Sequence, residues 1–297
     1  MIQATDLRKR YGPVQALDGV SFSVAPGEVY GLLGPNGAGK TTCLSLMVGA
    51  LGVDSGSVHI GDRGDPRIPA VRRGIGYAPQ ALALYDDLTG QENANFFGRL
   101  YGLAGSTLRE RTGAVLELVG LTDRRADRVS AYSGGMKRRL NLACALVHDP
   151  PVLLLDEPTV GVDPQSRNLI FDRIESLKRD GRTVIYTTHY MEEAQRLCDR
   201  IAIVDHGRML AEGDLESLLA AHGGRSVVRA VYETAPPADL NLPGLVENGE
   251  LRFESDQPLA DVARLVDSGH RFRTLRIDRP DLETVFLNLT GRTLRDT

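Results

Sequence analysis

The chain has 297 residues, 42% of them hydrophobic and 25% charged, with a net charge of −4. That length suits one large α/β domain plus a small appendage with a sizeable core. The charge gives no global basic signal for nucleic acid, and no segment approaches the ~20 apolar residues of a membrane helix. Met1 to Leu7 lacks a charged stretch followed by an apolar core and does not read as a signal peptide. If the protein works at a membrane, another chain must supply the spans. Cys43, Cys144 and Cys198 are widely separated and form no metal-type pair. They read as reduced, buried thiols of a cytosolic protein.

Residues 1–30 read as short strands and turns. Leu17 to Val24 alternates apolar with small or polar residues, as a half-buried strand does, and Ala25-Pro26-Gly27-Glu28 is a turn. Tyr11 could stack on an adenine ring or be an ordinary surface tyrosine, and spacing does not decide. The apolar run Val29 to Leu33 then leads into Gly34-Pro35-Asn36-Gly37-Ala38-Gly39-Lys40-Thr41-Thr42. Leu44, Met47, Val48 and Leu51 follow at helical spacing. Gly-x-x-x-x-Gly-Lys-Thr between a strand and a helix is a phosphate loop. Gly37 and Gly39 let successive N–H groups point at phosphate. Lys40 is a point charge for the β- and γ-phosphates, and the Thr41 hydroxyl is placed for Mg²⁺. The following helix adds its positive end.

Asp54 to Gly61 is a turn and a short strand, Asp62 to Pro69 a polar loop, and Ile75 to Gln80 a strand ending at a proline. Gln80 falls where α/β ligands bind, so its amide could reach Mg²⁺ or an attacking water, although most glutamines are simply solvated. Residues 86–150 read as a helical insertion. Thr89 and Glu92 fit a capping box, followed by Ala94, Phe97, Leu100 and Tyr101 at helical spacing, and a second helix runs from Leu108 to Gly120. Ser133 can cap a third helix, with Gly134 and Gly135 leaving N–H groups open to an anion. Taken alone, a capped helix with a basic surface turn explains that stretch as well.

Val152 to Leu155 is a buried strand that delivers Asp156 and Glu157 to its C-terminal end. Asp156 can orient Mg²⁺, and Glu157 can orient or deprotonate water. A plain charged turn is a poor explanation, because adjacent like charges at a core strand end are costly without a cation. After the turn at Asp163 and the helix from Leu169 to Leu177, Thr183 to Thr188 is another buried strand with His189 at its end. That histidine is either structural or a γ-phosphate contact. Glu192 to Leu197 is helical, and two strands flank Asp205-His206-Gly207. A second unit over 222–297 reads as small and α+β: strands at 226–234, 250–255 and 273–278, helices at 259–266 and 281–289, and loops at Pro236-Pro237 and Pro243-Gly244.

The ordered set of motifs over residues 1–218 resembles the ATP-binding subunit of an ABC transporter. Tyr11 resembles the adenine-stacking aromatic, Gly34 to Thr41 the Walker A loop, and Gln80 the Q-loop glutamine. Ser133-Gly134-Gly135 resembles the signature, Asp156 and Glu157 Walker B with the catalytic glutamate, Asp163 the D-loop and His189 the H-loop. The resemblance implies an α/β, RecA-like P-loop core with an antiparallel β subdomain and a helical insertion. It also implies ATP and Mg²⁺ as ligands. Two such domains would meet head to tail, so a homodimer or a paired paralogous ATPase is expected. The signature has Met136 where the family commonly has Gln, and the D-loop reads Val160-Gly161-Val162-Asp163. Neither change removes a catalytic group. Tyr132 to Arg139, Leu88 to Asn93 and Asp281 to Gly291 resemble the ABC-2 group of bacterial drug-resistance, sodium-efflux, polysaccharide and nodulation-factor exporters. That implies a separate ABC-2 type permease contacting roughly residues 81–101, and a cytoplasmic protein peripheral to the membrane.

Two other classes remain. A soluble ABC ATPase acting on nucleic acid or the ribosome usually has tandem cassettes or a coiled-coil insertion, neither of which is present, and no nucleic acid partner is expected. A P-loop kinase or regulator would have no use for Ser133-Gly134-Gly135.

Overall fold

The computed structural model describes residues 1–233, 245–247, 249–267 and 269–291. It divides into units over residues 1–215 and 216–296. The first opens with antiparallel strands β1 (Ile2–Tyr11) and β2 (Val14–Val24), longer than the short strands the sequence suggests. Alternation buries Ile2 and Ala4 on one strand and Val20, Phe22 and Val24 on the other, and a register shift after Ala4 brings Leu7 onto the buried face. β3 (Val29–Leu33) runs wholly buried into the phosphate loop, and α1 (Lys40–Met47) leaves it. β4 (Ser55–Ile60) returns to β1, giving the antiparallel order β2-β1-β4. A single helical turn, α2 (Pro69–Arg72), precedes β5 (Ile75–Ala78).

Next come the helices α3 (Gly90–Leu100), α4 (Gly105–Leu118) and α5 (Gly134–Leu146). The capping box forms: the Glu92 N–H donates to Thr89 Oγ at 3.1 Å, and the Thr89 N–H to Glu92 Oε2 at 2.8 Å. Ser133 caps α5 by accepting from the Met136 N–H at 3.2 Å. Arg139 donates to the Val119 and Gly120 carbonyls past the end of α4. Leu100, read as part of the apolar stripe, is instead exposed. The buried stripe of α3 runs through Gly90, Ala94 and Gly98 at four-residue spacing, and Leu100 lies off it. α3 and α4 approach closely at Gly98, where a Cβ would meet the Leu108 side chain of α4 at 2.5 Å.

The unit is completed by β6 (Val152–Asp156), α6 (Pro164–Arg179), β7 (Thr183–Thr188), α7 (Met191–Leu197), β8 (Arg200–Asp205) and β9 (Arg208–Gly213). The main sheet has the order β5-β6-β7-β3-β8-β9, parallel except for the last pair. Its parallel strands are buried on both faces, whereas the edge strand β9 is exposed or half-buried along its length. Leu153, Leu155, Val184 and Tyr186 join a core with Leu140, Ile170 and Ile174. Leu154, Ile185, Tyr30 and Leu32 join another with Leu44, Met47 and Phe22. Each such burial stabilises by about 1.5–3 kcal/mol. The strand order sets β5, β6, β7 and β3 side by side, so their C-terminal ends share one edge.

α8 (Leu215–His222) lies at the junction of the units, in a stretch to which the sequence reading assigns no helix. The second unit contains β10 (Ser226–Tyr232), β11 (Leu245–Glu247), β12 (Glu250–Ser255), α9 (Pro258–Asp267), β13 (Phe272–Asp278) and α10 (Leu282–Thr290). Its sheet is antiparallel, ordered β11-β12-β10-β13, over a core of Val228, Ala230, Tyr232, Leu251, Phe253 and Leu265. Thr234 and the loops at Pro236-Pro237 and Pro243-Gly244 lie outside the described residues.

Two glycines test this packing with opposite signs. A Cβ on Gly76 of β5 would sit 2.3 Å from the Ala145 carbonyl oxygen, whereas Gly113 in α4 has open space. Gly76→Ala is expected to destabilise by about 1–3 kcal/mol and Gly113→Ala to stabilise by about 0.5–1 kcal/mol. Chemical denaturation reads both, and the reverse order of stabilities would contradict the packing.

Candidate nucleotide site

The loop after β3 is shaped by close approach. A Cβ at Gly34 would meet the Val204 carbonyl oxygen at 2.1 Å. Gly37 and Gly39 have φ of +80° and +102°, the left-handed region that costs other residues strain. The Gly34 N–H donates to the Thr188 carbonyl at 3.3 Å, the Ala38 N–H to the Pro35 carbonyl at 3.2 Å, and the Gly207 N–H to the Ala38 carbonyl at 3.1 Å. Asn36, Gly37 and Thr41 are exposed along the loop, while Thr42 is half-buried.

Lys40 is buried. Its ammonium donates to the Gly34 and Pro35 carbonyls at 2.7 and 3.0 Å and lies 3.0 Å from Glu157 Oε1. Glu157 follows β6 directly and is also buried, with φ of +45°, a conformation rare outside glycine. It is held there by its N–H, which donates to the carbonyl and hydroxyl oxygens of Thr187 at 3.2 and 3.0 Å. The left-handed turn swings the carboxylate to the loop edge. There Oε2 accepts from Gln80 Nε2 at 3.2 Å. His189 Nδ1 lies 3.3 Å from the same oxygen, near enough for an ion pair but not aligned for a hydrogen bond, and it has no hydrogen-bond partner. The cation that sequence reasoning demanded beside these carboxylates is thus supplied in part by Lys40 of the same chain.

Asp156 is almost fully buried. Its Oδ1 accepts from the Thr187 hydroxyl at 2.7 Å, while Oδ2 is buried with no hydrogen-bond partner. Burial pushes the Asp156 carboxyl up; the Thr187 hydrogen bond and the nearby Thr41 hydroxyl oppose the rise, and the Glu157 charge adds to it. A buried carboxylate oxygen without a partner is costly, and with the Thr41 hydroxyl beside it forms the hard oxygen donor set that suits Mg²⁺. The Gln80 side-chain nitrogen is engaged by Glu157, so only its amide oxygen is available to a metal. Among the described residues no three His, Cys, Asp or Glu side chains converge as a metal cluster.

The signature residues make their contacts elsewhere. A Cβ on Gly135 would sit 2.4 Å from Ser166 Oγ and 3.1 Å from Asp163 Oδ1, and the nearest atom to one on Gly134 is the Gly161 carbonyl oxygen at 3.7 Å. Asp163 caps α6, accepting from the Ser166 N–H at 2.9 Å, and hydrogen bonds from Ser166 hold its carboxyl below the usual range. Tyr11 ends β1 with its ring exposed and the Lys9 ammonium 6.0 Å from the ring centre.

Two contributors escape sequence reasoning. Thr187 sits opposite Asp156 in the β6–β7 register and holds both carboxylate residues. Its signal is a hydroxyl in a wholly buried strand. Arg138 donates to the Gln80 carbonyl, and burial lowers its pKa against the pull of Glu157 and Asp156. It was hidden inside what read as a basic surface turn.

The ABC transporter family profile matches residues 17–160. The linearmycin resistance ATP-binding protein of Bacillus subtilis is 43% identical over 311 residues, covering 100% of both chains. The Nod factor export ATP-binding protein I of Ralstonia nicotianae is 42% identical, covering 100% of this chain and 95% of that protein. Among solved structures, the ATP-binding subunit of an ABC transporter aligns with a TM-score of 0.68 at 30% identity, covering 75% of this chain and 93% of that one. A dimeric ATP-binding cassette in a post-hydrolysis state with ADP and phosphate aligns at 0.67 and 27% identity, covering 72% and 98%. With full-length relatives above 40% identity and a cassette fold around its phosphate loop, the chain belongs to the ABC transporter ATP-binding family, as an ATPase subunit homologous to the ATP-binding proteins of export systems.

Proposed function

We propose that two copies of this chain close on two ATP molecules and drive an ABC-2 type exporter through a separate membrane permease. One observation carries the reading. Lys40, Gln80, Glu157 and His189 converge, whereas Gly134 and Gly135, which follow the Ser133 cap, pack by the Asp163 turn. The start of α5 has N–H groups suited to phosphate, so it supplies donors to a second copy's nucleotide. One motif set per chain supports a homodimer, and a paired paralogous ATPase would meet the same need.

Each side chain then has a task. Tyr11 stacks on adenine, and the loop from Gly34 to Thr42 wraps the phosphates. Lys40 turns from Glu157 toward phosphate. Thr41 and Asp156 hold Mg²⁺, with the Gln80 amide oxygen as a further ligand. A cation held by these residues would supply positive charge against the phosphates. Glu157, freed from Lys40, takes the proton of the attacking water, while Gln80 and His189 fix its orientation. Asp163 faces the second copy.

The names of the relatives, linearmycin resistance and Nod factor export, support the export direction. Exposed Leu82 and Tyr85, the latter edge-on to Phe96 at 4.9 Å, support residues 81–101 as the permease contact. Among the described residues no helix is long and apolar enough to cross a membrane. A peripheral position on the cytoplasmic face follows from this reading.

Glu157→Gln is expected to lower phosphate release by about 10²- to 10⁴-fold and to accumulate an ATP-bound dimer on size exclusion; wild-type turnover would sink the assignment. Asp156→Asn keeps an acceptor for Thr187. It is expected to raise the Mg²⁺ concentration for half-maximal ATPase by about 10- to 100-fold, and an unchanged Mg²⁺ requirement would remove Asp156 from the metal site.

A further inference from the structure

Outside the groups already given roles, Glu193 is the most heavily engaged buried carboxylate near the site. It lies in the first turn of α7 and is 2% exposed. Three hydroxyls donate to it: Thr159 to Oε1 at 2.6 Å, and Thr188 and Tyr186 to Oε2 at 2.7 and 2.9 Å. An ionised carboxylate only accepts, so all three protons point at it. Charge-assisted bonds of this kind are roughly twice as strong as neutral ones.

Where the three donors sit gives the arrangement its meaning. Thr188 precedes His189, and its oxygen in turn accepts from the Tyr190 N–H at 2.9 Å. Both chain neighbours of His189 are therefore tied, directly or through one hydroxyl, to Glu193. Thr159 sits between Glu157 and Asp163, in a turn closed by the Val160 N–H on the Glu157 carbonyl and the Val162 N–H on the Thr159 carbonyl. Tyr186 belongs to the body of β7, where its hydroxyl lies by Thr159 as well as Glu193, and removing that hydroxyl leaves both threonine bonds to Glu193 in place.

We infer that Glu193 is a positioning residue that binds the His189 loop to the turn between Glu157 and Asp163, so that the two move as one. The inference rests on the proposed roles of His189 and Asp163. A shift of the Asp163 turn on meeting a second copy is carried through Thr159, Glu193 and Thr188 to His189, beside Glu157 Oε2.

The test compares the three donors in the full chain. Thr159→Val, Thr188→Val and Tyr186→Phe each remove one hydroxyl from the same carboxylate. If Glu193 only stabilises the fold, the three behave alike. The inference expects both valine variants to lower kcat at least tenfold with KM for ATP within twofold. Tyr186→Phe should lower Tm but keep kcat within twofold. The Thr159→Val/Thr188→Val double variant should lose no more than the worse single, because either break severs the same link. A valine variant that keeps kcat within twofold overturns the inference, as does a Tyr186→Phe loss equal to theirs. Glu157→Gln in the same series separates the two levels. Its turning over at the wild-type rate fails the reading of the site, whereas the hydroxyl series fails the link alone.

Discussion

The structure of the site depends on one buried ion pair, Lys40 with Glu157, 3.0 Å apart at the ends of adjoining elements. Two charges taken from water cost several kcal/mol each unless every donor and acceptor is met. Here the ammonium has two loop carbonyls besides the carboxylate, and the carboxylate has the Gln80 amide besides the ammonium. Removing either partner would leave an unmatched charge, a loss of about 3–5 kcal/mol. The pair needs β3 near β6, which the order β6-β7-β3 provides, and it needs the left-handed turn at Glu157 that Thr187 holds.

The same pair explains how a stable arrangement can serve catalysis on the proposed reading. A phosphate competes with Glu157 for Lys40, because both are oxyanions of similar reach. Winning that competition releases the carboxylate as a base while Gln80 and His189 keep it in place. The partnerless Asp156 oxygen beside Thr41 is a second stored cost, relieved by a cation. Both costs sit at the sheet edge where strand order gathers the loops, and neither lies in the two apolar cores that hold the unit together.

Much of this was legible in the sequence, for physical reasons. Buried parallel strands read as unbroken apolar runs, so β3, β6 and β7 stand out, with their chemistry at the ends. Glycines at 37 and 39 announce backbone that other residues resist. Long-range polar contacts are not legible. Nothing local says that Thr187 lies opposite Asp156, or that Arg138 reaches the Gln80 carbonyl, because register and helix placement decide both. Leu100 misled because the stripe of α3 is set by small residues, Gly90, Ala94 and Gly98, where helices approach closely. α8 was missed because its short leucine-rich run lies between glycines at 213 and 223.

The central claim is that a complete site needs two copies, one giving Lys40 and the other the start of α5. Mixing two inactive variants tests it. Lys40→Ala disables the loop. Gly134→Asp has room for its Cβ, with the nearest atom at 3.7 Å, yet sets a negative charge at the α5 start. Each variant alone should hydrolyse ATP at background rate. In an equal mixture, hybrids hold one intact site, from the loop of one chain and the α5 start of the other, and ATPase activity should return. A mixture no more active than its components would contradict the account.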